Sequence, residues 1–298
     1  MATFTRREFA ALAAGTLLTR PSLAADAPGP LITRAIPKSG EGLPVVGLGT
    51  AQVFNDDDVD TRDAATQVIR SLIGGGARLV DTASVYGDAE TVIGEVTSGA
   101  GLREKLFIAT KLEQPDQSEL NCSLARLKTR QIDLLQLHNV SDPNQSLAQF
   151  RAWKAQGICR YTGITSTYHY AFPAVEAVLA REKPDFIQID YSIDNRIAEE
   201  RILPLAAEVK AGVLTALPFG RARLFRAVRG RPVPDWAASF AKSWAEFFLK
   251  FLIADPRVTA VIPGTNNPVH MIDNLGAQRG SLPDPEHRKR MVAFIEAL

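Results

Sequence analysis

The chain has 298 residues, 46% of them hydrophobic and 22% charged, with a formal net charge of +1. That length suits one large domain or two small ones with a sizeable core. The near-neutral balance excludes nucleic-acid binding through a general basic surface. The two cysteines, Cys122 and Cys159, make neither a disulfide framework nor a zinc site. Cys159 falls in an apolar run and reads as a buried thiol.

The chain opens with Thr5-Arg6-Arg7-Glu8-Phe9, an apolar run from Ala10 to Leu18, and Pro21-Ser22-Leu23-Ala24-Ala25. A charged start, a short apolar middle and small residues at the end describe a bacterial export signal. Adjacent arginines mark the twin-arginine type. The run is too short to anchor in a bilayer. Cleavage is expected after Ala24, so that residues 1–24 are the signal and 25–298 the exported domain. The expected location is the periplasm, and the twin-arginine machinery is the expected export partner.

Beyond Asp26 to Pro30 there is no linker or low-complexity stretch, and strands alternate with helices. Leu31–Pro37 and Gly42–Pro44 are predicted to form a hairpin closing a barrel bottom. Val45–Leu48 reads as a strand ending in Gly49-Thr50. Arg62 to Ile73 is amphipathic, with Ala65, Val68, Ile69 and Leu72 on one face. Leu79–Val80, Phe107–Ala109, Leu134–Leu137, Cys159–Gly163, Phe186–Ile189, Val213–Leu217 and Thr259–Ile262 supply the next seven strands. Helices are predicted at Glu90–Val96, Ser118–Leu127, Ser146–Ala155, Ala171–Ala180, Glu199–Val209, Trp236–Ile253 and Val269–Leu275, with an extra one at Pro285–Glu296. Eight strand–helix units of this size predict an α/β fold, a (β/α)8 TIM barrel with an N-terminal hairpin and an extra C-terminal helix. The strands are short and almost wholly apolar, as in a parallel sheet covered by helices.

Asp81, Tyr86, Lys111 and His138 follow three successive strands. In a barrel all four face the C-terminal rim, where this architecture does its chemistry. An acid, a phenol, an amine and an imidazole gathered there predict proton transfer to a carbonyl oxygen. A free phenol ionises near pH 10, far from neutrality. An ammonium about 4 Å away stabilises the phenolate by roughly 4 kcal/mol at an effective dielectric near 20. Lys111 is that ammonium, Asp81 holds it, and neutral His138 donates a hydrogen bond to the substrate oxygen. Taken singly each residue has an ordinary reading: a helix cap, a strand end, a turn residue or a core histidine.

The chain resembles the aldo-keto reductase superfamily. The matching pieces are Gly47-Leu48-Gly49-Thr50, Asp81-Thr82-Ala83 with Tyr86-Gly87, Ala109-Thr110-Lys111, and Ser123 to Leu127 leading to Ile132-Asp133-Leu134-Leu135-Gln136-Leu137-His138. Later come Gly163-Ile164-Thr165-Ser166, Gln188 and Ile262-Pro263-Gly264-Thr265 with Asn274. The resemblance spans Thr33 to Leu298. It implies an NAD(P)H-dependent enzyme, with NADP(H) favoured over NAD(H), that reduces an aldehyde or ketone or runs the reverse, with Tyr86 as general acid. It implies a cofactor site at Gly49, Thr50, Asp81, Thr165, Ser166, Gln188, Leu217, Pro218, Gly220, Gly264, Thr265, His270 and Asn274. Arg221, first in an Arg-rich loop, is expected to clamp cofactor phosphates. Phe54, Tyr86, His138 and Asn139 are expected to touch a small carbonyl or alcohol substrate. A monomer without metal or nucleic acid is expected.

The chain departs from the family pattern in places. Thr165-Ser166 replaces a frequent Ser-Asn. Ala216 stands where many members stack a tyrosine on the nicotinamide, with Phe219 as a substitute ring. His270 replaces a frequent arginine. Histidine at position 138, where double-bond reducers carry glutamate, favours carbonyl reduction. A competing expectation is a redox sensor or partner subunit that binds the nucleotide with little turnover.

Overall fold

The structure, a computed structural model, describes residues 29–298. The export-signal reading lies outside these residues. Strands β1 (Thr33–Ala35) and β2 (Gly42–Pro44) pair antiparallel, with Arg34 opposite Leu43. Eight parallel strands follow: β3 (Leu48–Gly49), β4 (Leu79–Asp81), β5 (Phe107–Leu112), β6 (Ile132–Leu137), β7 (Cys159–Ser166), β8 (Phe186–Asp190), β9 (Gly212–Ala216) and β10 (Val258–Val261). They pair in sequence order. Parallel bridges Val46–Val261 and Gly49–Gly264 join the first strand to the last. The sheet is therefore a closed barrel. Its seam is tight: a Cβ on Gly49 would sit 2.8 Å from the Ile262 carbonyl oxygen.

The helices are α1 (Val59–Gly74), α2 (Ala89–Gly99), α3 (Gln117–Arg126), α4 (Ala148–Ala155), α5 (Phe172–Glu182), α6 (Ile202–Glu208), α7 (Arg223–Ala227), α8 (Trp244–Ile253), α9 (Pro268–Gly276) and α10 (Pro285–Glu296). Short polar side chains start several of them. Asp58, Asp116, Ser243 and Asp284 each accept the backbone N–H three residues on.

Strand alternation sorts the core into two layers. Leu79, Phe107, Ala109, Leu134, Tyr161, Phe186, Leu214, Ala216 and Ala260 fill the barrel interior, and Ile36 and Leu43 of the hairpin plug its bottom. Val80, Ile108, Leu135, Ile187 and Val213 face outward, against the helices. Cys159 is buried in this outer layer, and burial pushes its thiol up to about 12.

Three elements differ from the sequence reading. The helix expected from Trp236 begins at Trp244, because Ser243 caps it. Trp236 and Phe240 instead fold back on Phe247, with ring centroids 5.9 and 6.4 Å away. The helix expected from Glu199 is a short turn, Ile197–Glu199, followed by α6. The Arg-rich loop contains the short helix α7.

Candidate active site

Inward alternation continues above the apolar interior as a polar layer. Asp81 ends β4 two residues after Leu79, and Lys111 lies two after Ala109. Gln136 lies two after Leu134, and Gln188 two after Phe186. Lys111 is opposite Gln136 in register. Its Nζ donates to Asp81 Oδ2 and to the Thr82 carbonyl, each at 2.7 Å. Gln136 Nε2 donates to Gln188 Oε1 at 3.1 Å and to Asp81 Oδ1 at 3.3 Å, and Gln188 Nε2 donates to Asp81 Oδ2 at 3.3 Å. Both carboxylate oxygens of Asp81 are thus held. Gly163 makes room for Gln136, whose Cγ lies 2.9 Å from where a Cβ would stand.

Burial acts to lower the pKa of the Lys111 ammonium. Asp81 and Tyr86 outweigh burial and hold it above the ordinary lysine value. Lys111 is therefore a cation throughout the working pH range. Its Nζ lies 4.7 Å from the centroid of the Tyr86 ring.

Tyr86 is half-buried on the loop after β4. Gly87 shapes that loop. It has φ +52°, and a Cβ there would lie 2.5 Å from the Asn55 carbonyl oxygen. The same carbonyl accepts the Asp88 N–H at 2.9 Å. Ser84 Oγ donates to Glu119 at 2.6 Å, which anchors the loop on its other side.

His138 follows β6, and its N–H donates to the Leu112 carbonyl at 2.9 Å. Its ring meets Tyr86 edge-on, with centroids 5.8 Å apart and planes at 76°. Its Nδ1 contacts Glu113 Oε1. Burial and the Lys111 ammonium push the imidazole below its ordinary value, against Glu113 and Asp81. The four sequence-predicted residues do converge. Gln136 and Glu113 join them and were missed. Gln136 lies two residues before His138, and Glu113 two after Lys111 and just past the end of β5, and that offset was the available signal.

The rim from β7 to α9 offers groups for an extended nucleotide. Thr165 Oγ1 accepts the Asn139 N–H at 2.9 Å, so the two loops share a rim position. Asn139 has φ +47°, a conformation asparagine tolerates better than an aromatic residue does. Leu217, Gly220, Arg221 and Ala222 all have positive φ. Such strain collects where a backbone is shaped around a ligand. Pro218 and Gly220 are buried within that loop, while Arg221 is exposed. Arg223 is engaged by Asp194 at 2.6 Å. Gly264 is exposed just before α9, Thr265 and Asn274 are buried, and His270 is exposed in the first turn. Asn267 caps α9 by accepting the Val269 N–H at 2.9 Å, and Pro268 has no N–H to give, so the first turn keeps the His270 amide for an anion. This donor set fits a nicotinamide dinucleotide.

Some expected contacts are corrected. Phe54 is wholly buried in the layer between strands and helices, so it supports the rim and offers no surface to a substrate. Thr50 and Ser166 are also wholly covered. Thr50 donates its N–H to the Asp81 carbonyl at 3.0 Å, and Ser166 Oγ accepts from the Tyr168 N–H at 3.3 Å. Both brace the site rather than face it. The Phe219 ring packs outward, against Phe225 and Phe248 at 4.8 and 6.4 Å. It does not replace the aromatic missing at Ala216. Leu217 covers the barrel interior there instead.

Residues 45–291 match the model of the aldo/keto reductase family. The chain belongs to the aldo-keto reductase family. It is 28% identical over 231 residues to methylglyoxal reductase YeaE of Escherichia coli K12, covering 74% of this chain and 80% of that protein. It is 37% identical over 108 residues to an aldo-keto reductase of Mycobacterium tuberculosis, which covers 34% of this chain and 36% of that one. Among solved structures, an aldo-keto reductase of Klebsiella pneumoniae in complex with NADPH superposes with a TM-score of 0.73 at 21% identity. That match covers 89% of this chain and 95% of the other. An aldo-keto reductase of Bacillus halodurans gives 0.71 at 22% identity over 89% and 96%. This aldo-keto reductase is accordingly an oxidoreductase, with its polar cluster at the face where barrel enzymes work.

Proposed function

We propose that this aldo-keto reductase interconverts an aldehyde or ketone and its alcohol, preferring NADP(H) over NAD(H), with Tyr86 as general acid. The observation that carries the reading is the buried Lys111 ammonium, fixed by Asp81 and 4.7 Å from the Tyr86 ring centroid. When bound, the reduced nicotinamide supplies the hydride taken up by the carbonyl carbon. Negative charge develops on the oxygen, and Tyr86 gives its hydroxyl proton there. Lys111 stabilises the phenolate left behind. Asp81 keeps Lys111 in place, and Gln136 and Gln188 keep Asp81 in place. His138 orients the substrate oxygen, with Asn139 at the edge of the pocket.

Thr165, Gln188 and Asn274 would hold the cofactor directly, with Gly49, Thr50 and Ser166 bracing them. Leu217, Pro218 and Gly220 would lie along it. Arg221, Gly264, Thr265 and His270 would take its phosphates. The NADPH complex of the Klebsiella relative supports the cofactor, and the methylglyoxal reductase supports a small carbonyl substrate. Tyr86→Phe should lower kcat/KM for aldehydes by about a hundredfold to ten-thousandfold while leaving NADPH affinity unchanged. Substantial residual turnover would remove Tyr86 from its role, and tighter binding of NAD than NADP would reverse the cofactor preference.

Residues 1–24 act, in the same proposal, as a twin-arginine signal, supported by Arg6-Arg7 and the apolar run after them. That route carries folded proteins, so a cofactor bound in the cytoplasm can leave with the enzyme. Cell fractionation should recover a chain starting near Ala25 from the periplasm. An intact chain confined to the cytosol would refute the signal.

A further inference from the structure

Glu113 lies two residues past Lys111, one beyond the end of β5 at the rim. Its carboxylate meets His138 Nδ1. The segment is held from behind by a second carboxylate. Glu119, in the first turn of α3, accepts the N–H groups of Glu113 at 2.9 Å and Gln114 at 3.2 Å. It also accepts Ser84 Oγ, two residues before Tyr86. One side chain therefore ties the Tyr86 loop to the segment that presents Glu113. The His138 side chain is 9% exposed and that of Glu113 46%, so the carboxylate reaches inward from the open edge.

A carboxylate can only accept, so Nδ1 must carry a hydrogen. A neutral imidazole has one N–H, which leaves its Nε2 bare. In that form a neutral His138 accepts at Nε2, unlike the donor expected from the sequence. We propose that Glu113 is a positioning residue that holds His138 in the Nδ1–H form, so that Nε2 donates only from the imidazolium and accepts a substrate hydroxyl when neutral. The charged and titratable groups around the ring are Lys111 from β5, Asp81 from β4, Tyr86 from the loop after β4, and Glu113 itself. Burial and Lys111 keep the imidazolium to pH values below the ordinary histidine range. At neutral pH the ring is thus an acceptor, matched to an alcohol. Carbonyl reduction gains a charged donor as the pH falls through that lowered value.

The catalytic consequence rests on the carbonyl–alcohol reading above, whereas the tautomer does not. The test is nitrogen-15 NMR of histidine-labelled protein, in which only four histidines report. The His138 signals are assigned by their loss in His138→Gln. On the alkaline side of the histidine range, the wild type should show protonated Nδ1 and bare Nε2. Glu113→Gln should move the ring toward the Nε2–H form that free histidine prefers. In parallel, kcat/KM for aldehyde reduction by the wild type should fall roughly tenfold to a hundredfold as the imidazolium is lost. The Glu113→Gln profile should lose that step. An Nε2–H signal for His138 in the wild type overturns the inference, whether or not Glu113→Gln is soluble. An unchanged pH step in Glu113→Gln overturns the catalytic role. The expected tautomer with no aldehyde turned over would instead count against the carbonyl reading and leave the Glu113–His138 assignment standing.

Discussion

Lys111 carries its charge where a protein tolerates one least. Its side chain is 1% exposed and that of Asp81 is 3% exposed. Desolvating both ions costs about as much as their attraction returns, so such a pair is a poor way to gain stability. In the proposed mechanism its value lies in the positive charge it places 4.7 Å from the Tyr86 ring centroid. Breaking the pair from one side is a different matter. Lys111→Met leaves the Asp81 carboxylate buried with, among the described residues, two long amide contacts at 3.3 Å. The loss should be about 3–5 kcal/mol in urea unfolding. Adding Asp81→Asn removes the stranded charge and should restore most of that stability, while aldehyde reduction stays absent. A single variant as stable as the wild type, or a double variant that turns over aldehydes, would contradict this division between stability and catalysis.

At the scale of elements, the strands were the most legible part of the chain. Their alternation alone puts Asp81, Lys111 and His138 on the inner face, and the order of pairing follows from eight repeated units. The same parity reaches Gln136, and Glu113 lies two after Lys111 just past the end of β5, but uncharged Gln136 and rim-exposed Glu113 carry no mark of chemistry by themselves. Loops were less legible, because no period constrains them. Phe54 follows β3 near the rim, yet its side chain turns into the outer core. Phe219 does the same, drawn by the rings of Phe225 and Phe248. The helix expected from Trp236 failed for a related reason. Trp236, Phe240 and Phe247 are spaced like a helical stripe but meet across a turn. Periodicity reports that residues share an apolar neighbour; it does not report which backbone brings them there.

At the scale of the whole molecule, the two mouths of the barrel have separate duties. The C-terminal mouth carries the tetrad, and the N-terminal mouth is closed by the β1–β2 hairpin. Glu41 fastens that plug. It accepts Arg78 Nη2 at 2.8 Å and the Tyr161 hydroxyl at 2.6 Å, and pairs with Arg160. Arg160 also donates to Asp133 at 2.8 Å, so the plug is linked to β6 and β7. Burial acts to raise the Glu41 carboxyl. The bonds from Tyr161 and Arg78 and the charge of Arg160 outweigh burial and hold it below the usual carboxylate range. The sign of the linkage follows. As pH falls, the unfolded chain takes up the Glu41 proton before the folded one does, so this stability is present above the unfolded value and lost as pH drops through the folded one. Glu41→Gln should therefore cost about 2 kcal/mol near neutrality. The difference from the wild type should shrink as urea unfolding is repeated at progressively lower pH. Aldehyde turnover should not change, because the barrel interior separates the plug from the Asp81–Lys111 layer. A stability loss that persists at low pH would mean that Glu41 acts by packing rather than by charge. A fall in kcat in a folded Glu41→Gln protein would show that the two mouths are coupled.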